Sequence, residues 1–240
     1  MTNKVYADNA AQGIIDRAVA AARDRIYDHL AAAIDLESLE SVIDVGATAD
    51  RDRQSANFFE KRYSYPDRVT ALSDQDAAWL QEAYQGLKFV RGDGLNMPFA
   101  DNSFDLAFSS AVIEHVGNRA NQAAFIAECF RVAKKFVFIT TPNRWYPIEF
   151  HTILPLLHWL PPRLYRAALR AIGKGFYAEE SNLNLLSKSD LLSLCVPLRA
   201  IGGGGGGGTI TTPLKFGLAT HFLGDFRLKN CFCSTSGARA

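Results

Sequence analysis

Between residues 41 and 140 the chain alternates short apolar runs with stretches of helical spacing. The run 41–46 (Ser-Val-Ile-Asp-Val-Gly) is β-branched and ends in glycine, which predicts a first strand. Residues 67–72, 88–91, 104–108 and 136–140 read as four further strands, and residues 77–84 and 120–132 as helices between them. The small residues at the start of 109–116 predict a further helix. Ahead of the first strand, Ile15, Val19, Ala22, Ile26, Leu30 and Ile34 recur at helical spacing with charges on the other face. That pattern predicts an amphipathic helix over about 10–36, laid against a sheet. Strands and helices alternating in this way predict an α/β fold with a doubly wound, mostly parallel sheet.

After Thr141 the rhythm changes. Prolines break a stretch rich in aromatics, and a basic amphipathic helix is expected over 163–172. Residues 142–187 therefore read as a helical insertion after the fifth strand. An insertion at this point covers the active site or forms a substrate wall, packs against the domain edge, or rests on a membrane surface. The membrane reading concerns 150–174, where Arg163, Arg166, Arg170 and Lys174 lie near Trp159 and Tyr165. On the first reading, Trp145, Tyr146, His151 and Trp159 face the acceptor side of the crevice. A run of seven glycines, 202–208, then ends the strand–helix pattern. The sequence thus divides into a domain over 1–201 and a Gly-rich, poorly ordered tail over 202–240, with only weak strand candidates at 209–212 and 216–222. A genuine linker and a shifted reading frame at a guanine-rich repeat both account for such a run.

A net charge of +1 gives no basic stripe for nucleic acid. No apolar run approaches a membrane span, and the polar first residues are unlike a secretory signal. The four cysteines form neither a disulfide framework nor a CxxC pair, so a reducing, cytoplasmic setting and no metal are expected.

In open parallel sheets the ligand lies outside the carboxyl ends of the strands. The candidates there are Asp44 at the end of the first strand and the turn Gly46-Ala47-Thr48 after it. Asp74 follows the second strand, where it and Asp76 could equally cap a helix. Asp93, Gly94 and Leu95 follow the third strand, and Ser110 and Ala111 the fourth. His115, Glu149 and His151 are rival proton acceptors, histidine because its ordinary pKa lies near neutrality.

The wording of 88–116 and 136–162 resembles the class I S-adenosylmethionine-dependent methyltransferases, in particular the type 11 group, and the resemblance extends over 41–189. It implies a Rossmann-like fold and S-adenosyl-L-methionine as cofactor. It places Asp44 near the methionine amino end, an acid after strand two on the ribose hydroxyls, and Asp93 on the adenine amine. Gly94 and Leu95 would supply backbone N–H and apolar contact, while Ser110 and Ala111 let the donor lie flat. The expected acceptor is a small molecule or a glycan, with oxygen favoured by the available histidine and glutamate bases. The chain departs from the group at the glycine turn, where only Gly46 of a GxGxG pattern is kept, and after residue 201, where the group completes its sheet. A donor-binding or scaffold protein without turnover is the alternative.

Overall fold

The computed structural model describes residues 9–53, 55–201, 215–221 and 231–232. In chain order the elements are α1 (Asn9–Ala33), β1 (Val42–Val45), α2 (Phe58–Arg62), β2 (Val69–Ser73), α3 (Leu80–Ala83), β3 (Lys88–Arg91) and β4 (Phe104–Ser110). They continue with α4 (Arg119–Val132), β5 (Ala133–Pro142), β6 (Ile148–Glu149), β7 (Leu154–Pro155), α5 (Pro162–Ala171), α6 (Gly175–Ala178), α7 (Lys188–Ile201), β8 (Lys215–His221) and β9 (Cys231–Phe232). The main sheet runs β3-β2-β1-β4-β5-β8-β9, parallel throughout except for the β8–β9 pair. The doubly wound α/β sheet expected from the sequence is therefore present.

Alternating side chains serve two apolar layers. Val42, Leu106, Phe108 and Phe138 face α1 and α2, where Ile26, Leu30 and Phe59 are buried. Ile43, Val45, Ala107 and Val137 face the other way, onto Phe125 and Cys129 of α4 and Leu191 of α7. Phe108 stacks on Phe59 at 4.6 Å between centroids. Burying an aromatic side chain of this size contributes roughly 1.5–3 kcal/mol.

Two expectations are corrected. Residues 109–116 do not form a helix: Ser109 and Ser110 extend β4, and only a 3-10 turn, Ile113–His115, follows. The reason is local, because Ala111 adopts φ 58° and Gly117 φ 97°, which interrupts helical hydrogen bonding on both sides. The helix begins later, at Arg119, where the Asn118 side chain accepts from the Asn121 N–H at 3.0 Å. The 77–84 helix is shorter than expected, since only Leu80–Ala83 is helical. In the tail, β8 overlaps the 216–222 candidate over 216–221 and runs parallel to β5 from Phe136↔Lys215 to Pro142↔His221. The 202–208 glycines and the 209–212 candidate lie outside the described residues.

The sheet order reverses between β1 and β4, since β1 leads to β2 on one side and pairs with β4 on the other. The crevice at their carboxyl ends is the natural ligand position of this topology.

Candidate active site

A cavity of about 420 Å³ opens at that reversal, within the size range of small-molecule sites. Its floor is the turn after β1. Gly46 has φ 101°, and a Cβ there would lie 2.2 Å from Val112 Cγ2, so only glycine fits. The Gly46 and Ala47 N–H groups both donate to the Leu72 carbonyl, at 2.8 and 3.3 Å. Thr48 is clamped from two directions by Asn57, whose Oδ1 accepts from the Thr48 N–H and whose Nδ2 donates to the Thr48 carbonyl, each at 2.9 Å. Asn57 itself adopts φ 47°, and nothing in the sequence singled it out. Its clamp fixes the main chain of the turn at Thr48.

Asp74 and Asp93 both line this cavity, whereas Asp76 spends its carboxylate on the Ala78 N–H at 3.2 Å. Asp93 Oδ1 accepts from the Leu95 N–H at 2.8 Å, so Asp93 organises its own turn and keeps a second oxygen. The Leu95 N–H is consequently engaged within the turn. Leu95 and Gly94 still line the wall, and a Cβ on Gly94 would come within 2.8 Å of Phe125.

Asp44 lies not in this cavity but in a smaller one of about 120 Å³ beside it, lined also by Arg23, Glu60 and Ser110. Gly46, Thr48 and Ala111 line both. Asp44 is buried, and burial first and the neighbouring Glu60 second push its carboxyl well above the usual range. Burial likewise raises Glu60, whose carboxylate oxygens are enclosed and lack a hydrogen-bond donor when both acids are ionised. One proton shared between the two carboxyls removes that deficit. Arg23 supplies the opposing charge, with its guanidinium 5.5 Å above the Phe58 ring and donating to the Ser55 carbonyl. Ser110 accepts from Thr140 Oγ1 at 2.8 Å, and the Ala111 N–H donates to the Thr140 carbonyl at 2.9 Å, which anchors this corner to β5.

The three proton-acceptor candidates come together at the cavity wall. His115 lines the cavity, and its Nδ1 lies 2.7 Å from the Asn182 carbonyl, so that nitrogen carries a proton. His151 Nδ1 lies 2.6 Å from Glu149 Oε1 and donates to it. The two Nε2 atoms then face each other at 3.1 Å, with the rings at 82°. Two lone pairs at that distance repel, whereas one proton on the line between them satisfies both rings, with Glu149 placed to balance its charge. Burial opposes ionisation of Glu149, but hydrogen bonds from His151 and Thr152 outweigh it and hold the carboxyl down at about 2. Burial also disfavours a charged His151, but Glu149 reverses the sign and raises it.

Glu114, His115 and His151 have ligand atoms within 4.8 Å of one another, a set whose residue types suit a divalent cation. The Nε2···Nε2 contact already has hydrogen-bond geometry, so a proton satisfies both rings with no side-chain shift. Of the four residues expected on the acceptor side, only His151 reaches this site, through His115. Trp145 and Trp159 stand exposed, and Tyr146 stacks on Phe150. None of the three lines the cavity, because the 146–159 turn closes on itself through the Tyr146 carbonyl, which accepts from His158 and Trp159.

Residues 44–139 match the family model described as a methyltransferase domain. The matched segment is similar to that domain, and it spans the crevice from Asp44 into β5. A protein of Encephalitozoon cuniculi (strain GB-M1) described as a candidate methyltransferase is 50% identical over 50 residues, 21% of this chain and 23% of its own. The chain thus spans about a quarter of that relative's length. Among solved structures, a SAM-dependent methyltransferase from Thermotoga maritima is 16% identical with a TM-score of 0.47, over 79% of this chain and 73% of its own. A candidate sarcosine dimethylglycine methyltransferase from Galdieria sulphuraria is 19% identical with a TM-score of 0.49, over 73% and 60%.

Proposed function

We propose that this chain transfers a methyl group from S-adenosyl-L-methionine to a hydroxyl oxygen of a small-molecule or glycan acceptor. The observation that carries the oxygen assignment is the Glu149–His151–His115 chain ending on the cavity wall. The cavities suit the cofactor by shape and chemistry: a glycine floor that tolerates no Cβ, carboxylates at Asp74 and Asp93, and a buried acid pair at Asp44 and Glu60. Bound there, S-adenosylmethionine supplies a methyl group on a sulfonium that leaves readily. The rest falls to the chain's own residues, which hold the reactants in line and take the acceptor's proton.

Asp93 and Asp74 have the right chemistry for hydrogen bonds from the amine and ribose hydroxyls of the nucleoside. Asp44 would hold the amino end, where an ammonium would favour the ionised form of the Asp44–Glu60 pair. At the other side, the pair of Nε2 atoms receives the acceptor's proton once the shared proton has been lost to solvent. Glu149 stabilises the resulting cation, and the Asn182 carbonyl fixes the His115 tautomer. Ionised hydroxyl oxygen is the nucleophile that this device prepares. A nitrogen acceptor that is already neutral has less use for it.

Calorimetric titration with S-adenosylmethionine, paired with a mass-shift screen against hydroxylated metabolites and sugars, tests the reading. Binding with a 14 Da gain on an alcohol or phenol is the expected result. Donor binding with no transfer to any acceptor class would favour a non-catalytic donor-binding protein. Transfer confined to amines would overturn the oxygen assignment.

A further inference from the structure

We propose that the face formed by residues 145–176 docks on an anionic bilayer surface, and that the acceptor is an amphiphilic, lipid-linked hydroxyl compound drawn from it. The second half rests on the methyl-transfer reading above; the first does not.

Among the described residues, nine large apolar side chains stand exposed, and all nine lie between Trp145 and Phe176. Scattered single exposures need no explanation, but their confinement to one segment of the chain does. Helix α5 shows the arrangement most clearly. Tyr165 and Leu169 are buried and hold the helix down, while Leu164 and Ile172, two turns apart on a neighbouring stripe, are 57% and 52% exposed. Arg163, Arg166 and Arg170 form a third stripe, turned away from Leu164 and Ile172. An apolar face with a cationic opposite face is the pattern of a helix lying in a membrane interface.

The backbone gives an independent sign. Ile153 and Leu156 adopt φ 59° and 58°, conformations that are unfavourable for any L side chain and most so for a β-branched one. Both side chains point into solvent, at 38% and 48% exposure, so burial within the chain does not offset the strain. Hydrogen bonds from the Ile153 N–H to the Glu149 carbonyl and from the Leu156 N–H to the Pro147 carbonyl hold them there.

Charge distinguishes a bilayer from a second copy of the chain. Arg166 and Arg170 pair with Glu180 and Glu179, whereas Arg163 and Lys174 have no ion pair among the described residues. A second copy would offer these cations at the rim of the apolar face only more cations and no acidic partner. Anionic headgroups would neutralise them. Position then supplies the acceptor class. The β6–β7 hairpin that turns Glu149 and His151 toward His115 turns Ile148 and Ile153 to solvent. The proton-accepting histidine therefore sits one hairpin away from the docking face.

Vesicle flotation tests the surface. The intact chain should float with vesicles of phosphatidylcholine containing about a quarter phosphatidylglycerol, and much less with phosphatidylcholine alone, since each free cation contributes about fivefold near an anionic surface. Leu164→Asn combined with Ile172→Asn should weaken that binding about tenfold or more. Ile153→Asn provides the sharper test, because asparagine tolerates the left-handed backbone. It should raise the melting temperature while lowering vesicle affinity, a pairing that a purely structural role does not produce. The proposal is overturned if the wild-type chain does not float, floats equally on neutral vesicles, or is unaffected by these substitutions. It is equally overturned if they abolish only a concentration-dependent dimer. Donor calorimetry on the same samples separates the two readings: flotation without donor binding sinks the methyl-transfer reading and leaves the surface standing.

Discussion

The two sides of the crevice are built on different principles. The side proposed for the donor is shaped at the backbone: Gly46 and Gly94 leave no room for a Cβ, and the Asn57 side chain clamps the main chain of Thr48. The acceptor side is made by side chains, with His115 and His151 meeting across 36 residues of sequence. A backbone site fixes shape and tolerates few substitutions, whereas a side-chain relay fixes a proton and can be cut at any link. Substitutions on the two sides should accordingly affect different measurements.

The largest effect is expected on the relay. His151→Ala should lower kcat by about 10²–10⁴-fold while donor affinity stays within a factor of about two. Glu149→Gln should follow in the same direction, with the pH–rate profile displaced downward because His151 loses the partner that raises it. Equal losses in donor affinity and kcat would erase the distinction between the two sides. Asp93→Ala, on the donor side, should weaken donor binding about ten- to hundredfold, from loss of a charge-assisted hydrogen bond of roughly 1.5–3 kcal/mol. Gly46→Ala should cost about 1–3 kcal/mol of stability through its positive φ alone. Adding Val112→Ala should relieve the clash but not the backbone term, so chemical denaturation should show only partial recovery.

Titration separates the sides more finely. The Glu149 carboxyl is held down at about 2, below its ordinary 4.5. Its contribution, on the order of 3 kcal/mol, is present above the unfolded value and lost as pH falls from there toward about 2. His151 is raised, so its contribution is complete below its ordinary 6.5 and disappears as pH rises through the folded value. Melting temperatures across this range should fall at both ends, and the alkaline loss should vanish in His151→Ala. The smallest effect belongs to Asp44 and Glu60: donor binding should release a proton, read as a calorimetric enthalpy that varies with buffer ionisation heat. No such variation would argue against a shared proton there.

What the sequence made legible follows the same division. Strands β1, β2, β4 and β5 were readable because parallel strands buried on both faces leave short apolar runs, and the half-buried edge strand β3 still coincided with its expected residues, Lys88–Arg91. Asp93 and Gly46 were readable because each lies within two residues of a strand end. Asn57, Glu60 and Arg23 were not, since each reaches the crevice from a helix or loop whose own pattern signals only packing. The helix expected over 109–116 failed because Ala111 occupies a left-handed conformation that its small side chain does not advertise. The Asp93 turn was not legible either: its carboxylate holds the Leu95 N–H two residues on, a contact that spacing alone does not reveal.

Cys129 extends the picture to the opening of the core. It sits wholly buried on the α4 face that covers β4 and β5, and burial pushes its thiol far above the ordinary value. Thiolate, not thiol, is the reactive form, so alkylating reagents meet an inert sulfur as long as α4 stays seated. The alkylation rate at this one peptide, followed by mass spectrometry, therefore clocks how often the helix lifts from the sheet. If ligands clamp the crevice through Phe125, one turn earlier on α4, that clock should slow in proportion to their occupancy.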